Sequence, residues 1–407
     1  MVRTSIAGGP GVDMRTFGDD HPGSRIRAQR RLAHLTQKQL AELIPYSYSL
    51  LNQVECGARP ATEAFLAAVA EALRIAPSVL TGQPHVSTVQ QDRREALVRP
   101  IRDALALYDL GHDPDVTARP LDDLVTAADR LCATVRATKL REASRVLPDV
   151  IAELTSTAWS TPSTEAWRAL ASAYRSAHDI ALKLGFYDLS TVALDRMDWA
   201  AERASDPCLA AVRQYKRALV HSKSGEYRTG ERLIEAGLRV LEQAEESRER
   251  LAVTGQLHLG ASVIAARAED QAAVERHISE ARTLAKRTGD ASGVHWLSFG
   301  PMNVAVHAMS ALTQMGQYDD ALTAARKIRP STTFATSRRA HFLIYRARAE
   351  METGNATRAL ASLAEARQAA PEQTRYHPST QETIRGLVQM ARRTPESLSH
   401  LAAWVEM

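Results

Sequence analysis

Cysteine is scarce in this sequence, and the three cysteines lie too far apart to form a recognisable motif. Cys56, Cys132 and Cys208 follow one another at intervals of 76 residues, and no Cys-x-x-Cys pair occurs. This spacing excludes a zinc finger and provides no disulfide framework, so no metal site is predicted. Since free cysteine is usually buried, we expect three reduced thiols within helices.

The sequence also lacks long apolar runs. No stretch of about 18 apolar residues is present that would span a bilayer. The N-terminus has no apolar core like that of a secretion signal. We therefore expect a cytoplasmic protein that has no membrane partner.

Motifs for catalysis are missing as well. The chain has no glycine-rich phosphate loop, no His-Glu-x-x-His and no Gly-x-Ser-x-Gly. Carboxylate pairs such as Asp319–Asp320 and Glu245–Glu246 occur where solvated helix surfaces are expected. The sequence therefore predicts neither an enzyme nor a protein with a cofactor.

Aromatic residues make up only 5% of the chain, whereas alanine is abundant and helical periodicity dominates. In Leu140–Leu154 and Trp167–Leu184, apolar residues recur at the three-and-four spacing of one buried helix stripe. No segment shows the period-two alternation of a strand. These patterns predict an all-α protein, and 407 residues are too many for one core.

Changes in composition along the chain predict four segments. Glycines and acidic residues near the N-terminus favour disorder, and a polar stretch after residue 84 is typical of a linker. The predicted segments are a disordered tail (1–21), a compact helical domain (22–84), a linker (85–91) and a helical-repeat domain (92–407).

The repeat prediction depends on short turns that recur between helices. Gly316 and Gly354 are each followed about five residues later by Ala-Leu. A glycine can end one helix in the left-handed conformation, and an alanine lets the next helix pack closely. Related turns at residues 185, 225 and 269 give spacings of 38 to 47 residues, which predicts degenerate repeats; a generic helical bundle is the alternative.

Local capping signals define the helices of the N-terminal domain. Thr36 precedes Gln37–Leu43 with Gln39 three residues later, as in a capping box. Ser47 caps a helix that starts at Tyr48, and the Gly57–Pro60 run ends it. Flanking helices are predicted at 25–32, 63–73 and 77–80.

This domain resembles the phage-repressor-like (XRE-type) helix-turn-helix family. The residues that carry the resemblance are Leu32, Thr36-Gln37, Leu40-Ala41, Leu51, Val54-Glu55, Gly57, Leu73 and Ile75. The resemblance implies a five-helix, lambda-repressor-like fold whose third helix lies in the major groove of double-stranded DNA.

The resemblance also implies roles for individual residues. Tyr48, Ser49 and Gln53 are the expected base readers, Asn52 contacts a base or a phosphate, and Gln37 binds phosphate. Tyr48 has the alternatives of packing on sugar or covering the turn. Ser47 and Arg59 complete the set of expected DNA contacts, whereas Glu55 is expected to pair with an arginine.

Charge agrees with a DNA-binding domain. Residues 22–84 contain seven basic and four acidic residues, a net charge of +3. Such a charge predicts modest, salt-dependent affinity for phosphate. Because one module makes few contacts, we expect a homodimer on an inverted-repeat operator.

The whole architecture, an XRE-type domain followed by tetratricopeptide-like (TPR-like) helices in a superhelix, resembles a class of actinobacterial regulators. The residues that carry this resemblance are Leu147-Pro148, Ile151, Leu154, Gly185, Asp188-Leu189, Gly255, Leu257-His258-Leu259, Phe299-Gly300-Pro301, Asn303-Val304-Ala305 and His307. The organisation is also similar to peptide-pheromone receptors, which implies a quorum-sensing regulator, a repressor or an activator, whose superhelix binds a peptide or small-molecule effector.

The Phe299–His307 segment predicts where such an effector binds. Asn303 and His307 lie four residues apart on one helix face, and an asparagine amide can pair with a peptide backbone. Trp296 and Phe299 are candidates for a pocket wall, and Arg339 for a carboxylate partner. The alternative is that Asn303 and His307 make internal hydrogen bonds that fix a repeat junction.

Three hypotheses therefore stay open for the repeat domain. It binds an effector that gates DNA binding, it docks another protein, or it serves only dimerisation. A concave surface with convergent polar groups would favour the first hypothesis.

Overall fold

The computed structural model describes residues 21–33, 35–75, 77–81, 88–390 and 396–405. Within these residues the secondary structure is helical, and the only extended pairing is an isolated bridge between Ala291 and Phe299. This confirms the predicted all-α fold class. The chain divides into two compact units, residues 1–85 and residues 86–406.

The first unit contains five short helices. They are α1 (Pro22–Leu32), α2 (Gln37–Glu42), α3 (Tyr48–Glu55), α4 (Glu63–Leu73) and α5 (Pro77–Thr81). Side chains cap α1 to α4: His21, Thr36, Ser47 and Thr62 each accept a hydrogen bond from a backbone N–H of the first turn. Such caps satisfy donors that have no partner inside the helix.

A small apolar core holds these helices together. It is formed by Ile26, Leu40, Ile44, Leu51, Val54, Phe65, Leu66, Val69, Ala70 and Leu80. Leu51 and Val54 lie on the inner face of α3, so the rest of that helix is presented to solvent.

The second unit consists of longer helices. They are α6 (Thr88–Ala106), α7 (Leu121–Arg136), α8 (Leu140–Ser160), α9 (Thr164–Leu184), α10 (Tyr187–Ala204), α11 (Pro207–Lys223), α12 (Tyr227–Glu242), α13 (Arg248–Arg267), α14 (Gln271–Thr288), α15 (Pro301–Gln314), α16 (Tyr318–Ala325), α17 (Thr336–Glu352), α18 (Ala356–Ala369), α19 (Pro371–Tyr376), α20 (Pro378–Met390) and α21 (Glu396–Val405).

Most of these helices pack as consecutive hairpins: α9 with α10, α11 with α12, α13 with α14, α15 with α16, and α17 with α18. Helices α11, α13, α15 and α17 contact one another in sequence, so the hairpins stack into a helical-repeat region. The turn inside each hairpin has one residue with positive φ. It is glycine at 185, 225, 316 and 354, and Glu269 (φ 60°) in the α13–α14 hairpin.

The two ends of this unit contact each other. The Glu372 carboxylate in α19 accepts hydrogen bonds from the backbone N–H groups of Leu140 (2.5 Å) and Arg141 (3.2 Å) at the start of α8. Lys183 Nζ in α9 donates to Gln373 Oε1 at 2.8 Å. A carboxylate at a helix N-terminus is favourable because the unpaired N–H groups and the helix dipole attract negative charge.

Two predicted segments differ from the structure where it describes them. Helix α6 begins at Thr88, inside the predicted linker 85–91, while residues 82–87 lie outside the described residues. The predicted disordered tail also lies outside them, apart from His21, which caps α1. Cys132 and Cys208 are buried in helices as expected, but Cys56 is exposed at the C-terminal end of α3.

Candidate DNA interface and candidate effector site

The N-terminal half of α3 presents polar side chains to solvent. Ser47, Tyr48, Ser49, Asn52 and Gln53 are all exposed, and Tyr48 keeps 45% of its surface accessible. The Ser47 hydroxyl accepts a hydrogen bond from the N–H of Leu50 at 3.2 Å, so it is the helix cap. Ser47 therefore has a local structural role in addition to its expected contact with DNA.

Gln37 links the start of α2 to α3. Its Nε2 donates to Glu55 Oε2 at 2.8 Å and to Asn52 Oδ1 at 3.3 Å, and its Oε1 accepts from the Tyr48 hydroxyl at 3.3 Å. Three of the expected DNA contacts, Gln37, Tyr48 and Asn52, are thus brought together in one hydrogen-bonded network. Within the described part of the chain, the side chains of Ser49 and Gln53 make no hydrogen bond.

A buried ion pair between Arg30 and Glu55 holds in place the carboxylate to which Gln37 donates. Arg30 Nε and Nη2 in α1 donate to the two carboxylate oxygens of Glu55 at 2.7 and 2.8 Å. Glu55 is 1% exposed, so it lies away from the exposed face of α3 and pairs with an arginine, as the sequence predicts. The hydrogen bond with Glu55 raises the pKa of Arg30 above its usual value.

The same unit carries exposed basic residues near α3 in the chain. Lys38, in the first turn of α2, and Arg59, in the loop after α3, are both exposed. Arg27 donates through Nη2 to the backbone carbonyl of Glu55 at 2.6 Å, which stabilises the C-terminal end of α3. Exposed polar side chains on α3, together with exposed cations in the same unit, suit base readout accompanied by phosphate contacts.

The second candidate site lies in the repeat region, around Asn303 and His307. These residues are one turn apart on α15 and are 1% and 5% exposed. Asn303 Oδ1 accepts a hydrogen bond from Arg338 Nε in α17 at 2.7 Å. Among the described residues, Asn303 Nδ2, Arg338 Nη2 and both ring nitrogens of His307 have no hydrogen-bond partner.

Further basic groups converge on the same region from distant helices. His341 lies with its ring centroid 6.5 Å from that of His307, 6.1 Å from that of His377 and 4.5 Å from that of Tyr345. Lys183 and Arg338 are close enough to influence the titration of His341. The surface therefore combines two cations with three histidines.

Desolvation changes the titration of these groups. It lowers the pKa of Lys183 to about 7 and that of Arg338 to about 10, and it lowers the pKa of His307 well below its usual value. Lys183, Arg338 and His341 nevertheless keep part of their surface accessible. Their charge is therefore poorly hydrated although they are not fully enclosed.

The other expected ligand contacts lie elsewhere. Phe299 is fully buried, and its ring fills the space above Gly255 in α13, so it belongs to the core and forms no pocket wall. Trp296 donates through Nε1 to Asp129 Oδ1 in α7 at 3.2 Å. Arg339 donates to the Ser331 carbonyl at 2.6 Å and lines a separate cavity of about 330 Å³.

Arg339 and Arg338 separate because consecutive helix residues point about 100° apart. The sequence therefore suggests that an arginine in this turn of α17 binds a carboxylate of the effector, but it does not show whether Arg338 or Arg339 faces the site. Lys183, His341 and His377 carry no local signal, since they lie on helices whose neighbours are set by the stacking of the repeats.

Among the described residues, no helix has the length and apolar character needed to cross a membrane. Residues 23–81 match the family described as "Helix-turn-helix domain". Two relatives are uncharacterized HTH-type transcriptional regulators of Mycobacterium tuberculosis, from strains CDC 1551 / Oshkosh and ATCC 25618 / H37Rv. Each is 45% identical over 58 residues, which is 14% of this chain and 41% of the relative. The match thus spans less than half of either relative.

One solved structure was also compared, the crystal structure of Bacillus thuringiensis PlcR in complex with the peptide PapR7 and DNA. The TM-score is 0.36 at 16% identity, over 75% of this chain and 92% of that chain. A TM-score this low does not establish a common fold. The capped helices, the buried Arg30–Glu55 pair and the family match together identify residues 23–81 as an XRE-like helix-turn-helix domain, which a helical-repeat region follows in the chain.

Proposed function

We propose that this protein is a transcriptional regulator that binds a specific DNA sequence through the N-terminal half of α3. The observation that carries the proposal is the pair Ser49 and Gln53, exposed on one face of α3 with no hydrogen bond to described residues. A free glutamine amide can donate to and accept from the N7 and N6 groups of adenine. Tyr48 and Asn52 flank this pair and are held by Gln37.

Phosphate contacts orient α3 in this proposal. Lys38 and Arg59, both exposed, supply the positive charge for them. A single module of this size reads few bases. A homodimer on an inverted repeat, with half-sites about one helical turn (~34 Å) apart, would double the contacts.

Selection of duplex DNA from a random library by the full-length protein tests this function. The enriched sequence should bind far more tightly than random duplex at about 150 mM salt. Gln53→Ala should relax the preference at one base pair, costing about 1–3 kcal/mol, whereas Lys38→Ala should weaken all duplexes alike and reduce the salt slope by about 1. Equal affinity for selected and random duplex would refute sequence-specific binding.

We also propose that the surface around Asn303, His307 and Arg338 binds an effector, a peptide or a small molecule, that modulates DNA binding. Unpaired donors on Asn303 and Arg338 support this proposal, because a buried polar group without a partner costs about 1–3 kcal/mol. The nearby Lys183 adds positive charge at a poorly hydrated place. An effector that carries a carboxylate or peptide carbonyl would satisfy these groups.

A screen for operator release tests the effector. Fractions of culture extract are added to the protein–operator complex, and release is compared with the thermal shift of the free protein. An anionic effector should bind more weakly as the pH rises through about 7, because Lys183 then loses its charge. Arg338→Gln should weaken the response, while Arg339→Gln, the adjacent residue in another cavity, should leave it unchanged.

If no fraction changes either melting or release, the repeat region serves only dimerisation or docking. Sedimentation of the free protein then distinguishes the two roles. A dimer that persists on removal of DNA favours dimerisation, and a monomer favours docking of another protein.

A further inference from the structure

Four side chains with donor atoms for metals converge in the repeat region, away from the surfaces described above. They are Asp206 and Cys208 at the start of α11, Glu249 in the first turn of α13, and His295 in the 3₁₀ turn Val294–Trp296 between α14 and α15. One thiol sulfur, one imidazole nitrogen and two carboxylate oxygens lie within 4.8 Å of one another. We propose that these residues bind one Zn²⁺ ion.

The donor set suits zinc. Structural zinc sites use four ligands drawn from cysteine, histidine and carboxylates in a tetrahedral arrangement. Metal–ligand bonds of about 2.0–2.3 Å place tetrahedral donors roughly 3.4 Å apart. His295 Nε2 and Glu249 Oε1 are 2.6 Å apart and all four donors lie within 4.8 Å of one another, so shifts of about 1 Å around the site reach this geometry.

Ordinary ion pairs explain part of the cluster. Glu249 faces His295, and Asp206 Oδ2 lies 2.7 Å from Arg168 Nε while its Oδ1 caps α11 through the N–H groups of Cys208 and Leu209. The Cys208 thiol takes no part in these ion pairs, although it lies at the edge of the apolar core. It is 6% exposed, points among the three other donors, and its sulfur makes no hydrogen bond within the described residues.

The ligands differ in how far they are already engaged. Within the described part of the chain, Cys208, Glu249 and His295 form no ion pair with a lysine or arginine, whereas Asp206 would share its carboxylate with Arg168. A cysteine thiolate strongly favours Zn²⁺ over the hard ions Mg²⁺ and Ca²⁺. The site therefore selects a thiophilic dication.

The position of His295 gives the ion a structural consequence. The backbone carbonyl of His295 accepts a hydrogen bond from Arg175 in α9, and the loop continues into α15, which carries Asn303 and His307. A zinc ion would tie this loop to the first turns of α11 and α13. Binding would thus stabilise the fold that places the start of α15.

Cobalt substitution in the full-length protein tests the proposal. The protein is stripped with a chelator, titrated with Co²⁺ and then with Zn²⁺, and followed by absorption. One equivalent of Co²⁺ should produce a thiolate-to-cobalt charge-transfer band and tetrahedral d–d bands, and Zn²⁺ should abolish both. Cys208→Ser should remove the charge-transfer band, while Cys56→Ser, which changes an exposed cysteine outside the cluster, should retain it.

A second variant keeps the test decisive if Cys208→Ser misfolds. His295→Gln changes a residue in a connecting turn and should weaken zinc binding by at least about 10- to 100-fold, the range known for residues that merely support ligands. At the same zinc concentration, Zn²⁺ should also raise the melting temperature of the wild type by more than that of His295→Gln. A cobalt spectrum without a charge-transfer band, or zinc affinity equal in wild type and His295→Gln, overturns the proposal.

Discussion

Replacing Glu55 by glutamine probes the buried pair that joins α1 to α3. The variant keeps the size of the side chain but leaves the Arg30 guanidinium without a counter-charge in a place where its side chain is 10% exposed. Breaking a buried pair from one side costs about 3–5 kcal/mol. That cost is comparable to the whole stability of a unit of this size, about 0.05–0.15 kcal/mol per residue.

Hydrogen exchange followed by mass spectrometry measures this loss in the full-length protein. Each 1.36 kcal/mol changes an equilibrium tenfold, so amides in α3 should exchange roughly 100-fold to several thousand-fold faster in Glu55→Gln. Because Gln37 also bonds to Glu55, the DNA-facing network should loosen with the helix. Affinity for the selected operator should fall in parallel.

The chain contains a matched control with similar geometry and less burial. Arg119 Nε and Nη2 donate to the two carboxylate oxygens of Glu153 at 2.8 and 2.7 Å, but the Arg119 side chain is 47% exposed. Exposed pairs contribute about 0–1 kcal/mol, so Glu153→Gln should speed exchange in α8 by less than about tenfold. If both variants change exchange by the same factor, burial does not set the strength of the Arg30–Glu55 pair and the reasoning fails.

Two further predictions concern the repeat region. In a urea unfolding assay, Gly255→Ala should destabilise this region by about 1–3 kcal/mol or more, because a Cβ at residue 255 would lie 2.1 Å from Phe299 Cζ. Gly293→Ala is the control and should leave the stability unchanged, because a Cβ at residue 293 meets open space. The pKa values of His178 and His377 are lowered to about 4 and about 3, chiefly by desolvation, so between those values and pH 6.5 the unfolded chain binds protons that the folded chain does not. The free energy of unfolding, followed by tryptophan fluorescence, should therefore fall as the pH drops from about 6.5 towards 4.5. The expected slope is up to about 1.4 kcal/mol per pH unit for each histidine, and His178→Gln should reduce it. A free energy of unfolding that does not change over this pH range would contradict the prediction.

Local signals were sufficient for the helix-turn-helix domain. The capping groups of Thr36 and Ser47 act on N–H groups within three residues, so they can be read directly from the sequence. Helix α4 has the predicted bounds for the same reason. The resemblance to the helix-turn-helix family also predicts that Glu55 pairs with an arginine, but only the structure shows that this arginine is Arg30.

The candidate effector surface was only partly predictable. Asn303 and His307 share a face because they are four residues apart on one helix, and helical periodicity predicts this. Phe299 was placed wrongly, because its apolar ring fits equally well in a pocket wall or in the core. The choice depends on Gly255, more than 40 residues earlier, whose missing side chain makes room for the ring.

The sequence by itself thus determined the helices of the first unit, their caps and which polar residues lie on α3, because these depend on interactions within a few residues. The tertiary structure alone decided which distant groups meet: Lys183 with Gln373, Glu372 with the start of α8, and Cys208 with His295. Such meetings depend on how each hairpin stacks on the next. That stacking is the sum of many weak apolar contacts spread over the whole region, and no short motif encodes it.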